Sequence, residues 1–232
     1  MRVLAIDTAT SSAGAAVADE QGIIASFGLN VGKTHSQRFL PLLESLLNAA
    51  ETPLQEMTAL AVTVGPGSFT GLRIGLATVK AWGQALKLPL VPITTLEAIA
   101  RANLTDGLVC PVFDARKNEA YCSLFRGSEQ LWPNLALNLP QLAHALADYP
   151  EPIIFAGDAA GLYQDFFREA LGERFVLAQE ERRLFLAPAA AILGRERYLA
   201  GNITNAEEIK PLYLRQSEAE VKFGQKEINN EQ

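Results

Sequence analysis

Val64-Gly65-Pro66-Gly67-Ser68-Phe69-Thr70-Gly71-Leu72-Arg73-Ile74-Gly75 places a glycine-rich loop between two segments of different periodicity. Upstream, Leu60–Val64 is a short, apolar, β-branched run that reads as a buried strand. Downstream, Leu72, Leu76, Val79, Gly83 and Leu86 recur at helical spacing, with Ser68 or Thr70 available as the N-cap. Glycine tolerates positive φ and lets a ligand or another backbone come close. The first N–H groups of the following helix point outward without partners. The loop is therefore a candidate phosphate or partner site, and a tight structural turn explains its glycines equally well. It matches neither of two better-known phosphate loops. G-x-G-x-x-G needs glycine where Thr70 stands, and a Walker A loop needs Gly-Lys-Ser/Thr where this chain has Gly71-Leu72-Arg73.

Working outward, the same order of elements occurs twice. Arg2–Thr8 reads as a strand carrying Asp7 near its end, followed by strands at Ala13–Ala18 and Ile23–Leu29. A helix bearing Phe39, Leu43, Leu46, Leu47 and Ala50 precedes the strand, loop and helix already described, giving β-β-β-α-β-α. In the second half, a strand Leu108–Phe113 ends at Asp114, a hairpin runs through Glu119–Phe125, and a third strand lies near Gln130–Leu137. A helix near Gln141–Leu146, a strand Ile153–Ala156, Gly157-Asp158 and a helix through Phe166 complete it.

This duplication predicts an α/β fold of two similar lobes, each a mixed sheet with helices packed on it, although residue identity between the halves is slight. The lobes are expected at 1–100 and 101–215, with part of the C-terminal segment packing back on the first, and 216–232 as a polar tail expected to fray. Ala187–Ala200 reads as a helix starting near Pro188, and Lys210–Arg215 as an extended segment. The cleft between lobes is the default ligand site, with Asp7 and Asp114 ending equivalent strands across it.

With 232 residues, 49% hydrophobic and 20% charged, the chain has the composition of a soluble globular protein. Its net charge of −6 argues against a broad nucleic-acid surface, which gathers Lys and Arg. Cys110 and Cys122 each lie in an apolar run and read as buried thiols, without metal-site spacing. The N-terminus lacks the features of a signal peptide, and no apolar stretch approaches the ~20 residues of a membrane span, so a cytoplasmic protein is expected.

Ala5-Ile6-Asp7-Thr8-Ala9-Thr10, Thr34-His35-Ser36-Gln37, Gly65 to Gly75, Asp114-Ala115-Arg116-Lys117-Asn118-Glu119-Ala120-Tyr121 and Pro211-Leu212-Tyr213-Leu214-Arg215 together resemble the TsaB (YeaZ) family, from the first residue to about Arg215. The resemblance implies the duplicated, ribonuclease H-like βββαβα fold (the actin-like or ASKHA fold) of actin, sugar kinases and the large heat-shock chaperone ATPases. It also implies a role in making threonylcarbamoyladenosine (t6A) in tRNA, on the adenosine that follows the anticodon. Members of that family are non-catalytic. They support the paralogous transferase TsaD, which moves a threonylcarbamoyl group from its adenylate to the base, and the ATPase TsaE joins them. The implied partners are TsaD, as a heterodimer through first-lobe helices, TsaE, and a second copy when the chain is alone, with little or no tRNA contact. No intrinsic cofactor is implied; ATP or ADP with Mg²⁺ at a partner interface is the candidate.

Carried onto this chain, Asp7 and Thr8 stand where relatives of the fold contact phosphate or its magnesium, and Gly65, Gly67 and Ser68 complete a candidate nucleotide site. Asp7 is equally well read as a turn-capping residue. Asp114 is followed by Ala115-Arg116 rather than glycine, which argues against intrinsic ATP hydrolysis. Gly157-Asp158-Ala159-Ala160-Gly161 resembles a worn adenosine-side turn, and a plain strand-to-helix loop explains it as well. The catalytic paralogue binds metal through a His pair four residues apart; here His35 is followed at that spacing by Phe39, and His144 is remote, so no metal site is expected.

A partner interface is expected on two helices: His35, Phe39, Leu43 and Leu46 on the first, whose apolar arc is wider than one stripe, and Gly71, Leu72, Arg73, Gly75, Leu76 and Val79 on the second. Gly71 and Gly75 would admit a neighbouring helix. Arg73, with Lys33 and Arg38 ahead of the first helix, would pair with carboxylates or phosphates, or be solvated charge. Pro41 would start or kink the first helix. A charge at Leu43 or Leu76 is expected to abolish docking while leaving the lobe folded. The main rival is a free-standing ATP-dependent phosphotransferase or ATPase, since the fold hosts many. A metalloprotease lacks the paired histidines or His-Glu motif it would need.

Overall fold

The computed structural model describes residues 1–30, 35–179 and 185–214. The first half runs β1 (Val3–Asp7), β2 (Ala13–Asp19), β3 (Gly22–Leu29), α1 (His35–Ala49), β4 (Ala59–Gly65), α2 (Phe69–Leu86), β5 (Leu90–Thr94) and α3 (Thr95–Ala102). The second runs β6 (Leu108–Arg116), β7 (Glu119–Arg126), β8 (Glu129–Asn138), α4 (Leu139–Ala145), β9 (Ile153–Ala156), α5 (Asp158–Leu162), α6 (Gln164–Leu171), β10 (Phe175–Leu177) and α7 (Ala187–Leu199). The two five-stranded sheets have equivalent orders, β3-β2-β1-β4-β5 and β8-β7-β6-β9-β10.

Each half thus carries one more strand and helix than the sequence pattern predicts. β5 holds Pro92 and β10 is three residues long, so neither shows the alternation by which strands are recognised. β1 pairs antiparallel with β2 and parallel with β4, Val3 opposite Ala59 and Ile6 opposite Val62. The C-terminal ends of β1 and β4 therefore share one edge, and this brings Asp7 beside the glycine-rich loop.

α1 and α2 cover one face of the first sheet, where Phe39, Leu43, Leu46, Leu76 and Val79 pack with Leu4, Ile6 and Val62. α7 covers the opposite face, although it belongs to the second half of the sequence: Ala187, Ala190 and Ala191 pack on Val3, Ala5 and Ala61, with Ala156 and Ala178 closing the cluster from the second lobe. Gly194 permits the approach, since a Cβ there would sit 2.5 Å from that of Ala61. α3 packs against β6, β7 and α7, so α3 and α7 lie between the sheets. There Arg197 forks onto Glu97 at 2.6 and 2.8 Å, and Arg101 pairs with Glu196 at 2.8 Å.

After α7 the chain rounds the edge of the first sheet. Thr204 and Leu90 of β5 exchange backbone hydrogen bonds of 2.8 and 2.9 Å. Ile209 and Leu212 then pack into the α1/α2-side core. Cys110 and Cys122 are free thiols in the second lobe's core, where burial pushes Cys122 up to about 12 and Cys110 well above its ordinary range. The expected tail, 216–232, lies outside the described residues, as do Lys33 and the side chain of His35.

Candidate functional site

Asp7 closes β1 with its side chain fully enclosed, 1% exposed. Its Oδ1 accepts the Thr63 hydroxyl from β4 at 2.7 Å and the Ala9 N–H at 3.1 Å. Burial pushes the carboxyl pKa up, and these two donors hold it part of the way back. Thr8, also buried, donates its hydroxyl to the Gly71 carbonyl at 2.7 Å. The Ser68 N–H donates to the Ala9 carbonyl at 2.8 Å, and Ser68 Oγ accepts the Gly71 N–H at 3.2 Å. Ser68, and not Thr70, is therefore the N-cap of α2.

The glycines make this contact possible. A Cβ on Gly67 would lie 2.3 Å from the Ala9 carbonyl oxygen, one on Gly71 1.9 Å from that of Thr8, and one on Gly75 2.5 Å from Thr8 Oγ1. What approaches Gly71 and Gly75 is this chain's own β1–β2 turn, where a neighbouring helix was expected. Gly65, at φ 122°, faces the Leu212 carbonyl, which a Cβ would meet at 2.6 Å. Leu212 in turn donates its N–H to the Val64 carbonyl at 2.7 Å, and Tyr213 stacks on Phe69 with ring centroids 4.6 Å apart. The peptide bond between Gly65 and Pro66 is cis.

At the matching position of the second lobe, Asp158 Oδ1 accepts the N–H groups of Asp114 at 2.9 Å and of Ala159 at 2.7 Å. Its pKa is raised by burial. Asp114 Oδ1 accepts from the Tyr163 hydroxyl and the Arg116 N–H, at 3.0 and 2.9 Å. Gly157, at φ 109°, leaves no room for a side chain: a Cβ would sit 2.1 Å from the Val112 carbonyl oxygen.

Most of the expected partner residues are buried, while Arg73 is exposed. Phe39, Leu43, Leu46, Leu72, Leu76 and Val79 are all less than 8% exposed, and Gly71 and Gly75 are buried too. They form the lobe's core, so a charge at Leu43 or Leu76 would unfold it instead of selectively blocking docking. The apolar stripe read as an interface is the stripe that folds the lobe. Of the excess apolar arc of α1, Leu40 reaches solvent at 57% exposure, beside exposed Arg38, Pro41 and Glu44. Arg38 and Pro41 lie inside α1, which starts at His35. On α2 the exposed face carries Thr70, Arg73, Ala77 and Ala81. Among the described residues, no group of three His, Cys, Asp or Glu could hold a metal ion, and no helix is long and apolar enough to cross a membrane.

Two repeated lobes, each a five-stranded mixed sheet with its helices, define the actin-like (ASKHA) fold. The ROK hexokinase of Thermus thermophilus shares it at a TM-score of 0.52 and 13% identity, over 85% of this chain and 100% of that one. A Pseudomonas aeruginosa protein described as similar to the peptidase YeaZ superposes with a TM-score of 0.80 at 26% identity, over 92% of this chain and 99% of that one. The family model for TsaD, tRNA N6-adenosine threonylcarbamoyltransferase, matches residues 29–223. The tRNA threonylcarbamoyladenosine biosynthesis protein TsaB of Bacillus subtilis is 31% identical over 96% of this chain and 98% of its own length. The protein of that name from Escherichia coli is 30% identical over 98% and 100%. The chain belongs to the TsaB (YeaZ) family.

Proposed function

We propose that this protein is a non-catalytic, activating subunit of the cytoplasmic machinery that makes threonylcarbamoyladenosine in tRNA. In this reading it docks on a TsaD-type transferase through the exposed faces of α1 and α2, TsaE joins the assembly, and a second copy takes the partner's place when the chain is alone. Docking activates by binding the transferase's competent conformation more tightly than its other states. ATP or ADP with Mg²⁺ would bind at the partner interface, and tRNA contact is left to the transferase.

The observation that carries the non-catalytic reading is that the first lobe's glycine loop is filled by its own chain. The Ser68 N–H is spent on Ala9, the space over Gly67, Gly71 and Gly75 is taken by Thr8 and Ala9, and the Asp7 carboxyl is enclosed between Thr63 and Ala9. A phosphate-binding turn needs those N–H groups and that space free, and a magnesium-binding Asp needs its oxygens open to the ion.

The test is t6A formation on tRNA by purified TsaD- and TsaE-type proteins supplied with threonylcarbamoyl-adenylate, with and without this chain. Activity should depend on the chain, and the chain alone should neither transfer the group nor turn over ATP. If the chain is dispensable and hydrolyses ATP with Mg²⁺ in a reaction lost in Asp7→Ala, it is instead a free-standing ATPase or phosphotransferase.

A further inference from the structure

The motif Pro211-Leu212-Tyr213-Leu214 has no part in the function proposed so far, yet it reaches the first turn of α2. The segment from Thr204 onward is fastened at three points: to the edge of β5 through Leu90, to the core through Ile209, which is 3% exposed, and to the end of β4 through the Leu212 N–H on Val64. Alternate residues of an extended segment point to opposite sides. Leu212 packs into the α1/α2-side core, and Tyr213 turns onto the Phe69 ring at an interplanar angle of 20°.

Both rings remain partly exposed. Arg73, four residues after Phe69, lies on the same face of α2, is exposed, and makes no ion pair among the described residues. A Tyr, a Phe and an Arg side by side, with the aromatic pair stacked above a backbone hydrogen-bonded to β4, have the composition of a binding hot spot.

We propose that the segment Thr204–Leu214 is part of the docking surface: it holds Tyr213 against Phe69 so that the two rings and Arg73 form one aromatic and cationic patch, covered in the complex by a protein surface offering an apolar side chain and a carboxylate. The guanidinium, which has no ion pair among the described residues, calls for a carboxylate, and the partly exposed rings call for apolar cover. A nucleic acid would also stack on such rings, but the chain's net charge of −6 opposes it. This inference rests on the docking role proposed above. Tyr213 acts in it as a contact, and Leu212 and Thr204 as positioning residues.

The test is isothermal titration of the full chain against the cognate TsaD-type transferase at low and high salt, with the melting temperature of each variant recorded alone. Tyr213→Ala should bind about tenfold or more weakly with an unchanged melting temperature, and Tyr213→Phe should stay within about twofold of wild type. Arg73→Glu should weaken binding by about tenfold and remove most of its salt dependence. Val176→Ser, on an exposed position of β10, is the silent control. Unchanged binding by Tyr213→Ala overturns the inference, as does a loss shared by Tyr213→Phe or matched by a fall in melting temperature. Tyr213-dependent binding of tRNA by the chain alone, with transferase binding unaffected, overturns the choice of a protein as occupant. If wild type does not bind the transferase at all, the proposed function fails and takes this inference with it.

Discussion

The two lobes tie the end of their first strand to the loop after their fourth by different hydrogen bonds, although a glycine meets a backbone oxygen in both, Gly67 and Gly71 in the first and Gly157 in the second. In the first lobe the Ser68 N–H donates to the Ala9 carbonyl and the Thr8 hydroxyl to the Gly71 carbonyl, with Thr8 lying against the Cβ-less faces of Gly71 and Gly75. In the second the Asp158 carboxyl captures the Asp114 N–H. The close approach in the first lobe requires the glycines of α2, a helix that runs unbroken for 18 residues. Behind the second joint the chain breaks into α5 and α6, of five and eight residues. The lobe proposed to dock a partner is the one with the long helix.

The strongest way to break this comparison is Gly71→Ala. The new methyl would meet a backbone oxygen at 1.9 Å, which no rotamer change relieves. The cost should fall at the upper end of overpacking, about 3 kcal/mol or more, and lower the melting temperature by about 6–12 °C. Gly107→Ala, whose added Cβ would meet nothing nearer than 3.9 Å, should melt like wild type. If thermal denaturation shows Gly71→Ala to be neutral, the turn does not sit on α2 and the loop is open to a phosphate after all.

A smaller effect sharpens the contrast. Asp158→Ala leaves the Asp114 and Ala159 N–H groups without their acceptor and should cost about 1–2 kcal/mol, with faster hydrogen exchange at the Asp114 amide. Thr8→Val removes one hydroxyl bond but keeps the carbonyl packed against Gly71, and should cost less, about 0.5–1 kcal/mol. Urea denaturation of the two variants ranks them. The reverse order would mean that side chains, not backbone, hold the first lobe's turn.

Much of this was legible in the sequence because periodic segments announce themselves. The run Leu60–Val64, the stripe Leu72, Leu76 and Val79, and the doubled strand order all reach the structure, with Ser68 capping α2 as one of two residues foreseen for it. Elements without periodicity were not legible. β5 and β10 are short or interrupted, and the strap that places Leu212 and Tyr213 against the glycine loop is irregular, fastened to Leu90, Val64 and Phe69 by contacts distant in sequence. Ala187–Leu199 reads as a helix, but nothing local says that its small residues face the first sheet. Apolar periodicity marks burial and not an interface. Leu43 and Leu76 carry the apolar signal because they fold the lobe, whereas Arg73, also expected at an interface, and Leu40, which was not, are the ones that face solvent.

The smallest expected effect is electrostatic. Asp7 is enclosed and its pKa is raised by burial, so the folded state holds this proton more tightly than the unfolded chain does. Its contribution to stability is complete below the unfolded carboxyl value, about pH 4, and is lost as pH rises through the higher folded value. Asp7→Asn keeps an oxygen that accepts from Thr63 and Ala9 but cannot ionise. Relative to wild type it should gain stability as pH rises from about 4 to the higher folded value, and the difference should be level above it. The carboxyls of Glu97 and Asp158, raised in the same direction by burial, titrate in both proteins and cancel from the difference. Urea denaturation at a series of pH values gives it directly. Parallel curves for the two proteins would mean that Asp7 is open to water in solution, as a magnesium ligand has to be, and would return the ATPase reading to the first lobe.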